Sequence, residues 1–160
     1  MNQKRDPAAY LAEWLERYLK NRDLAFRKIN AIKMEGNFVK VESKDKNTTY
    51  IIVPFVEDFE SALSPVLSEP HKGIAVFNTA KNLAALLRAW NKLSSIDNLI
   101  IYFVNPFSNQ DKKWIINPKT HHLISDEENL KEGINAMFLT VDETSEEEVR
   151  RFVNEEAGRV

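Results

Sequence analysis

The sequence predicts a mixed α/β fold, a single central sheet flanked by helices. Three observations carry that expectation. Apolar residues recur at helical spacing near both ends of the chain and around residue 86. The runs "TYIIVPFV" at 49–56 and "NLIIYFV" at 98–104 are apolar without alternation, as in strands covered on both sides. Between them and the first helix, "FVKVES" alternates apolar and charged residues between two turn signals. The predicted order is α-β-β-β-(β)-α-β-β-α-α, with the parenthesised strand at "GIAVF".

Asp6-Pro7 opens the first helix, a capping side chain followed by proline at the first helical position. Tyr10, Leu11, Trp14, Leu15, Tyr18 and Leu19 form its apolar stripe. Glu13 with Arg17 and Glu16 with Lys20 are i,i+4 pairs on its outer side, and the pattern ends near Asn21. Residues 24–34 read as a strand that changes phase near Arg27-Lys28, the mark of a bulge. Gly36-Asn37 is a turn, Val39 and Val41 set one face of the next strand, and "KDKN" turns into the third. Pro54 lacks an N–H donor, so the sheet ends or opens there.

Residues 57–72, broken by Pro65 and Pro70, read as a loop or a short irregular helix. After "GIAVF", either Asn78 or Thr79 caps a helix running to about Leu93 with the stripe Leu83, Leu86, Leu87, Trp90 and Leu93. "NPFSNQDKK" is a long polar loop, and "WII" at 114–116 is a short strand. A helix over about 126–138 buries Leu130, Ile134, Met137 and Phe138, and a tail helix over about 145–156 offers Val149, Phe152 and Val153. No repeat or linker divides the chain, so residues 1–160 read as a single globular domain with an acidic tail helix at 144–160.

Composition narrows the function classes. With no cysteine, disulfides, thiol nucleophiles and thiolate metal sites are excluded together, which suits a cytoplasmic setting. "MNQKRDPAAY" has no apolar core of the secretory kind, and no apolar run approaches the ~20 residues that span a bilayer, so no membrane partner is expected. The net charge of −2 is unevenly spread: the first 50 residues sum to +4 and residues 126–160 to −7. The four glycines form no phosphate-cradling loop, and no G-x-S-x-G surrounds any serine. No cofactor is expected.

The segment "NPKTHHLISDEENL" at 117–130 concentrates two histidines and a carboxylate run. Ser125 with Glu128 reads as a capping box, and Asp126, Glu127 and Glu128 suit a first helical turn, where negative charge is favoured. Adjacent histidines diverge in extended structure and stand about 100° apart on a helix, so His121 and His122 make a poor metal pair. No metal site is assigned.

The order helix, three strands, helix, strand over roughly residues 7–104, with "NLIIYFVNP" as the strand after the second core helix, resembles the PD-(D/E)XK, restriction-endonuclease-like superfamily. That resemblance implies a metal-dependent phosphodiesterase with an aspartate on the second strand and Glu-X-Lys on the third. Here Glu42-Ser43-Lys44 falls one strand early, and the third strand reads Ile52-Val53-Pro54-Phe55. In the expected registers Glu42 lies opposite Thr49 and near Asn30, and Lys44 near Lys28. The nearest further carboxylates, Asp23 and Asp58, fall on the order of 20 Å away at the strand rise. Glu42 and Lys44 are therefore the only catalytic candidates, and no catalytic residue is assigned. The element order is also similar to the small acidic chaperones of type III secretion, which implies a non-catalytic protein-binding domain.

The expectation is a nuclease-like fold without an intact metal site, acting as a non-catalytic module for nucleic acid or another protein. Arg27, Lys28, Lys40, Lys44 and Lys46 would be its basic contact surface. The chaperone-like protein-binding domain is the alternative, and an active metal-dependent nuclease the third. Oligomeric state is left open.

Overall fold

The computed structural model describes residues 6–157. The opening five residues and the last three of the predicted tail, 158–160, lie outside the described residues. Six strands form one sheet in sequence order: β1 (Ile29–Glu35), β2 (Phe38–Ser43), β3 (Asn47–Ile52), β4 (Lys72–Phe77), β5 (Leu99–Val104) and β6 (Lys113–Ile116). β1, β2 and β3 are antiparallel neighbours, β3, β4 and β5 run parallel, and β6 returns antiparallel to β5. The predicted mixed α/β architecture is the observed one.

Strand alternation sorts the core into two layers. Ile51, Ile74, Val76, Ile101 and Phe103 point to one face. That face is covered by α2 (Phe59–Leu63), α3 (Ala80–Arg88), α4 (Trp90–Leu93), α5 (Pro118–Ile124) and α6 (Glu127–Phe138). The residues in between, Tyr50, Ile52, Ala75, Phe77, Tyr102 and Val104, join Val39 and Val41 of β2 on the other face. There they pack against α1 (Pro7–Phe26) and α7 (Glu146–Ala157). Both parallel crossovers, through α2 and through α3–α4, bury their apolar residues on the same face. Val149 and Val153 of α7 are fully buried. At about 1.5–3 kcal/mol for each buried side chain of this kind, two such residues hold down a helix that is otherwise charged.

Gly73 shows how tightly the second face is filled. A Cβ there would lie 2.5 Å from the Tyr50 ring and 2.9 Å from Ile100. Tyr50 in turn stacks on Tyr102, with centroids 5.8 Å apart. Burial is the largest influence on both phenols and pushes both upward in pKa.

Several boundaries differ from the sequence reading. α1 continues to Phe26 instead of ending near Asn21, and the strand begins at Ile29. The apolar residues Leu24 and Phe26 belong to an exposed last helical turn. Arg27 stops the helix by entering the left-handed region at φ 50, with its N–H on Asp23 O. The Asp23 carboxylate accepts the N–H groups of Lys28 and Ile29, which launches β1. The bulge falls at Asn30, between Ile29 and Ala31, and not at Arg27-Lys28. Glu42 therefore faces Ala31, and a tighter turn puts it opposite Asn47 instead of Thr49. The expected proximity of Lys44 to Lys28 holds, since Lys44 N–H donates to Lys28 O at 2.9 Å.

β3 ends at Ile52, although Val53 N–H still donates to Ala75 O and Pro54 O still accepts Phe77 N–H, and the chain turns away from β4 after Pro54. The helix expected up to Leu93 breaks at Ala89 into α3 and α4. α5, capped by Asn117 with Pro118 at its first turn, makes a helix of the residues read as punctuation. The cap of α6 is Asp126, which accepts Asn129 N–H, instead of Ser125 in a capping box.

Candidate functional site

Beyond the carboxyl ends of β3 and β4 lies a cleft of about 1130 Å³. In open α/β sheets ligands bind outside the carboxyl ends of the strands. Pro54, Phe55, Val56 and Glu57 form one wall, and Thr79, Ala80, Lys81 and Asn82 at the start of α3 form the next. Residues 143–147 with Arg150 of α7, and Asp6 to Ala8 opening α1, complete it.

Asn82 builds the first two walls into one unit. Its Oδ1 accepts Val56 N–H at 2.8 Å, while Nδ2 donates to Pro54 O at 2.9 Å and Phe77 O at 2.8 Å. Thr79 Oγ1 accepts Asn82 N–H and so caps α3. The third wall is pinned by a second set of buried amides. Asn78 Nδ2 donates to the carbonyls of Phe138, Val141 and Asp142, and its Oδ1 accepts the Trp114 indole N–H at 2.7 Å. Asn105 Nδ2 also donates to Asp142 O, and Thr144 N–H donates to Asn78 O. Asn109 N–H, with smaller help from Gln110 and Ser108, holds the Asp142 carboxyl below the usual carboxylate range against an opposing desolvation. These bonds carry the chain across the sheet end and deliver Glu143 and the start of α7 to the cleft.

One wall of the cleft, Pro54, Phe55 and Val56, is apolar, and the charges around it are mostly acidic. Asp6, Glu57, Glu143, Glu146 and Glu147 face two cations, Lys81 and Arg150, among the described lining residues. Phe55 is half-buried, stacked on Phe77 with centroids 5.7 Å apart. The Arg150 guanidinium sits over its ring at 5.7 Å and is tied to Glu146 at 2.9 Å. The guanidinium over the ring is a cation–π contact of the kind that pairs basic and aromatic side chains.

The residues singled out from sequence lie elsewhere. Arg27, Lys28, Lys44 and Lys46 gather at the opposite end of the sheet, where α1 ends and β2 turns into β3. Lys40 stands apart, opposite Thr49 in mid-strand. Lys28 pairs with Asp45 at 2.9 Å, and Lys40 with Glu35 at 3.0 Å. Arg27, Lys44 and Lys46 have no carboxylate within 4 Å among the described residues. Glu42 pairs with Lys33 at 3.3 Å on the exposed face of the β1–β2 hairpin. Among the described residues no three His, Asp or Glu side chains come together as metal ligands. Ile52-Val53-Pro54-Phe55, the third-strand segment with no Glu-X-Lys, leads into the cleft.

Sequence reasoning missed Asn82, Phe55 and Arg150. The polar pair Asn78-Thr79 was visible as a cap, but an asparagine at the fourth position reads as an ordinary helix-surface residue. No protein-family model, curated protein or solved structure matches this chain.

Proposed function

We propose that this protein is a non-catalytic binding module whose partner is a polypeptide segment with lysine or arginine side chains beside apolar ones. The observation that carries this reading is the Phe55 cleft, which joins an apolar wall to five carboxylates against two cations. A basic and apolar segment matches both properties, and the Arg150–Phe55 contact is an internal example of the recognition. Titration of isotope-labelled protein with basic–aromatic peptides tests it. Amide shifts should concentrate at Phe55, Thr79, Lys81 and Glu143. Glu143→Lys with Glu147→Lys should weaken binding, and acidic peptides of the same length should not bind. Shifts that map away from the cleft, or none at all, would overturn the proposal.

A second reading keeps the nuclease-like resemblance and takes single- or double-stranded nucleic acid as the partner. It is favoured by Arg27, Lys44 and Lys46, cations at one end of the sheet without a carboxylate partner among the described residues. It is weakened by the ion pairs that already occupy Lys28 and Lys40.

A further inference from the structure

Among the described residues β1 is an edge strand of the sheet, with β2 on one side and no strand on the other. The hairpin register fixes which of its backbone groups are used. Glu35 pairs with Phe38 across a two-residue turn that begins at Gly36, φ 57. Alternation in an antiparallel ladder then turns the N–H and C=O groups of Glu35, Lys33 and Ala31 toward β2. Those of Ile32 and Met34 face outward, an unpaired edge of the kind that templates another strand. Met34 is also one of the exposed large apolar side chains, at 40%.

We infer that this edge pairs antiparallel with β1 of a second copy of the chain, about a two-fold axis through Met34. The choice of register follows from charge and from the bulge. With the axis at Met34, Lys33 of each chain faces Glu35 of the other, and the two Met34 residues exchange backbone hydrogen bonds. Each Ile32 then meets Gly36 of the other copy. Moving the axis between Lys33 residues places like charges opposite each other, which is unfavourable. Moving it to Ile32 requires Asn30 to pair with Met34, and Asn30 is the bulged residue.

The Met34 register also extends an existing charge pattern. Within one chain Lys33 holds Glu42 at 3.3 Å and Glu35 holds Lys40 at 3.0 Å, all four on the exposed face. Across the axis these diagonal ion pairs continue from Glu42 to Lys33, then to Glu35 and Lys40 of the copy, alternating in sign, although Lys33 also lies directly opposite Lys40 within each chain.

Sedimentation velocity over a wide concentration range tests the pairing. Wild type should show a monomer–dimer equilibrium. Lys33→Glu alone and Glu35→Lys alone should each weaken it at least about tenfold, because two facing pairs turn from attraction to repulsion. Mixed one to one, the two variants should form a heterodimer in which every facing pair is again opposite in charge. Met34→Pro, which removes an outward donor and no bond to β2, should abolish dimerisation with the charges intact. A wild type that stays monomeric, single variants that dimerise like wild type, or a mixture that fails to pair would each refute the inference. Circular dichroism establishes that every variant compared is folded.

Discussion

The Trp90 indole N–H donates to His122 Nδ1 at 3.2 Å, which ties α4 to α5. His121, one residue back, presents its ring edge to the same indole at 6.1 Å, and its Nε2 is buried without a hydrogen-bond partner. Burial around that nitrogen favours the uncharged form of His121 as it docks α5.

This arrangement predicts a stability that falls on mild acidification. Burial lowers the pKa of His121 in the folded protein, whereas the unfolded chain takes up the proton near the ordinary value of about 6.5. Between those two values the unfolded state binds more protons, so stability declines as pH drops below about 6.5 and levels off below the folded pKa. Above about pH 7.5 the term vanishes. Urea unfolding from pH 7.5 to 5.0 should show the decline, and His121→Phe, which keeps a ring against Trp90, should flatten it. An equal decline in the variant would place the effect elsewhere.

Asn82→Ala should destabilise the fold far more than an exposed asparagine would. It strands the buried Val56 N–H and takes one donor each from Pro54 O and Phe77 O, which keep the N–H groups of Phe77 and Thr79. An unpaired buried donor costs about 1–3 kcal/mol, so a loss of about that size is expected in chemical denaturation. The Phe55 wall should loosen too, read as faster amide exchange at Val56.

Gly73→Ala should cost about 1–3 kcal/mol, the scale of an overpacked core. The added methyl meets the Tyr50 ring at 2.5 Å, and Tyr50 is backed by Tyr102. The companion Gly73→Ala, Tyr50→Leu should recover part of the loss. Additive penalties in the pair would show that the ring is not the obstacle.

The nucleic-acid reading makes a quantitative claim about salt. If about four phosphates are contacted, affinity falls with a logarithmic slope of roughly −3 to −4. Lys44→Glu with Lys46→Glu should flatten that slope by about two units, since each phosphate-contacting lysine accounts for about one. A titration of fluorescent single- and double-stranded oligonucleotides reads both numbers. No binding at ~20 mM salt, where screening is weakest, would remove this reading and leave the cleft.

Local patterns along the chain already dictate the layer plan and most of the elements. The buried runs around Ile51, Ile74 and Ile101, the stripe of α1 and the cap at Thr79 all follow from local patterns, since periodicity and capping act within a few residues. The sequence did not reveal that 24–26 stay helical, because the carboxylate of Asp23 decides that boundary by bonding Lys28 and Ile29. Nor did it reveal α5, whose short helix rests on Trp90, 31 and 32 positions before the histidines it meets. The cleft belongs wholly to tertiary structure. Asn82 reaches back 26 residues to Val56, and Asn78 forward 60 or more to the segment carrying Glu143. A side-chain amide has no periodicity of its own, and only the folded sheet brings those carbonyls within its reach.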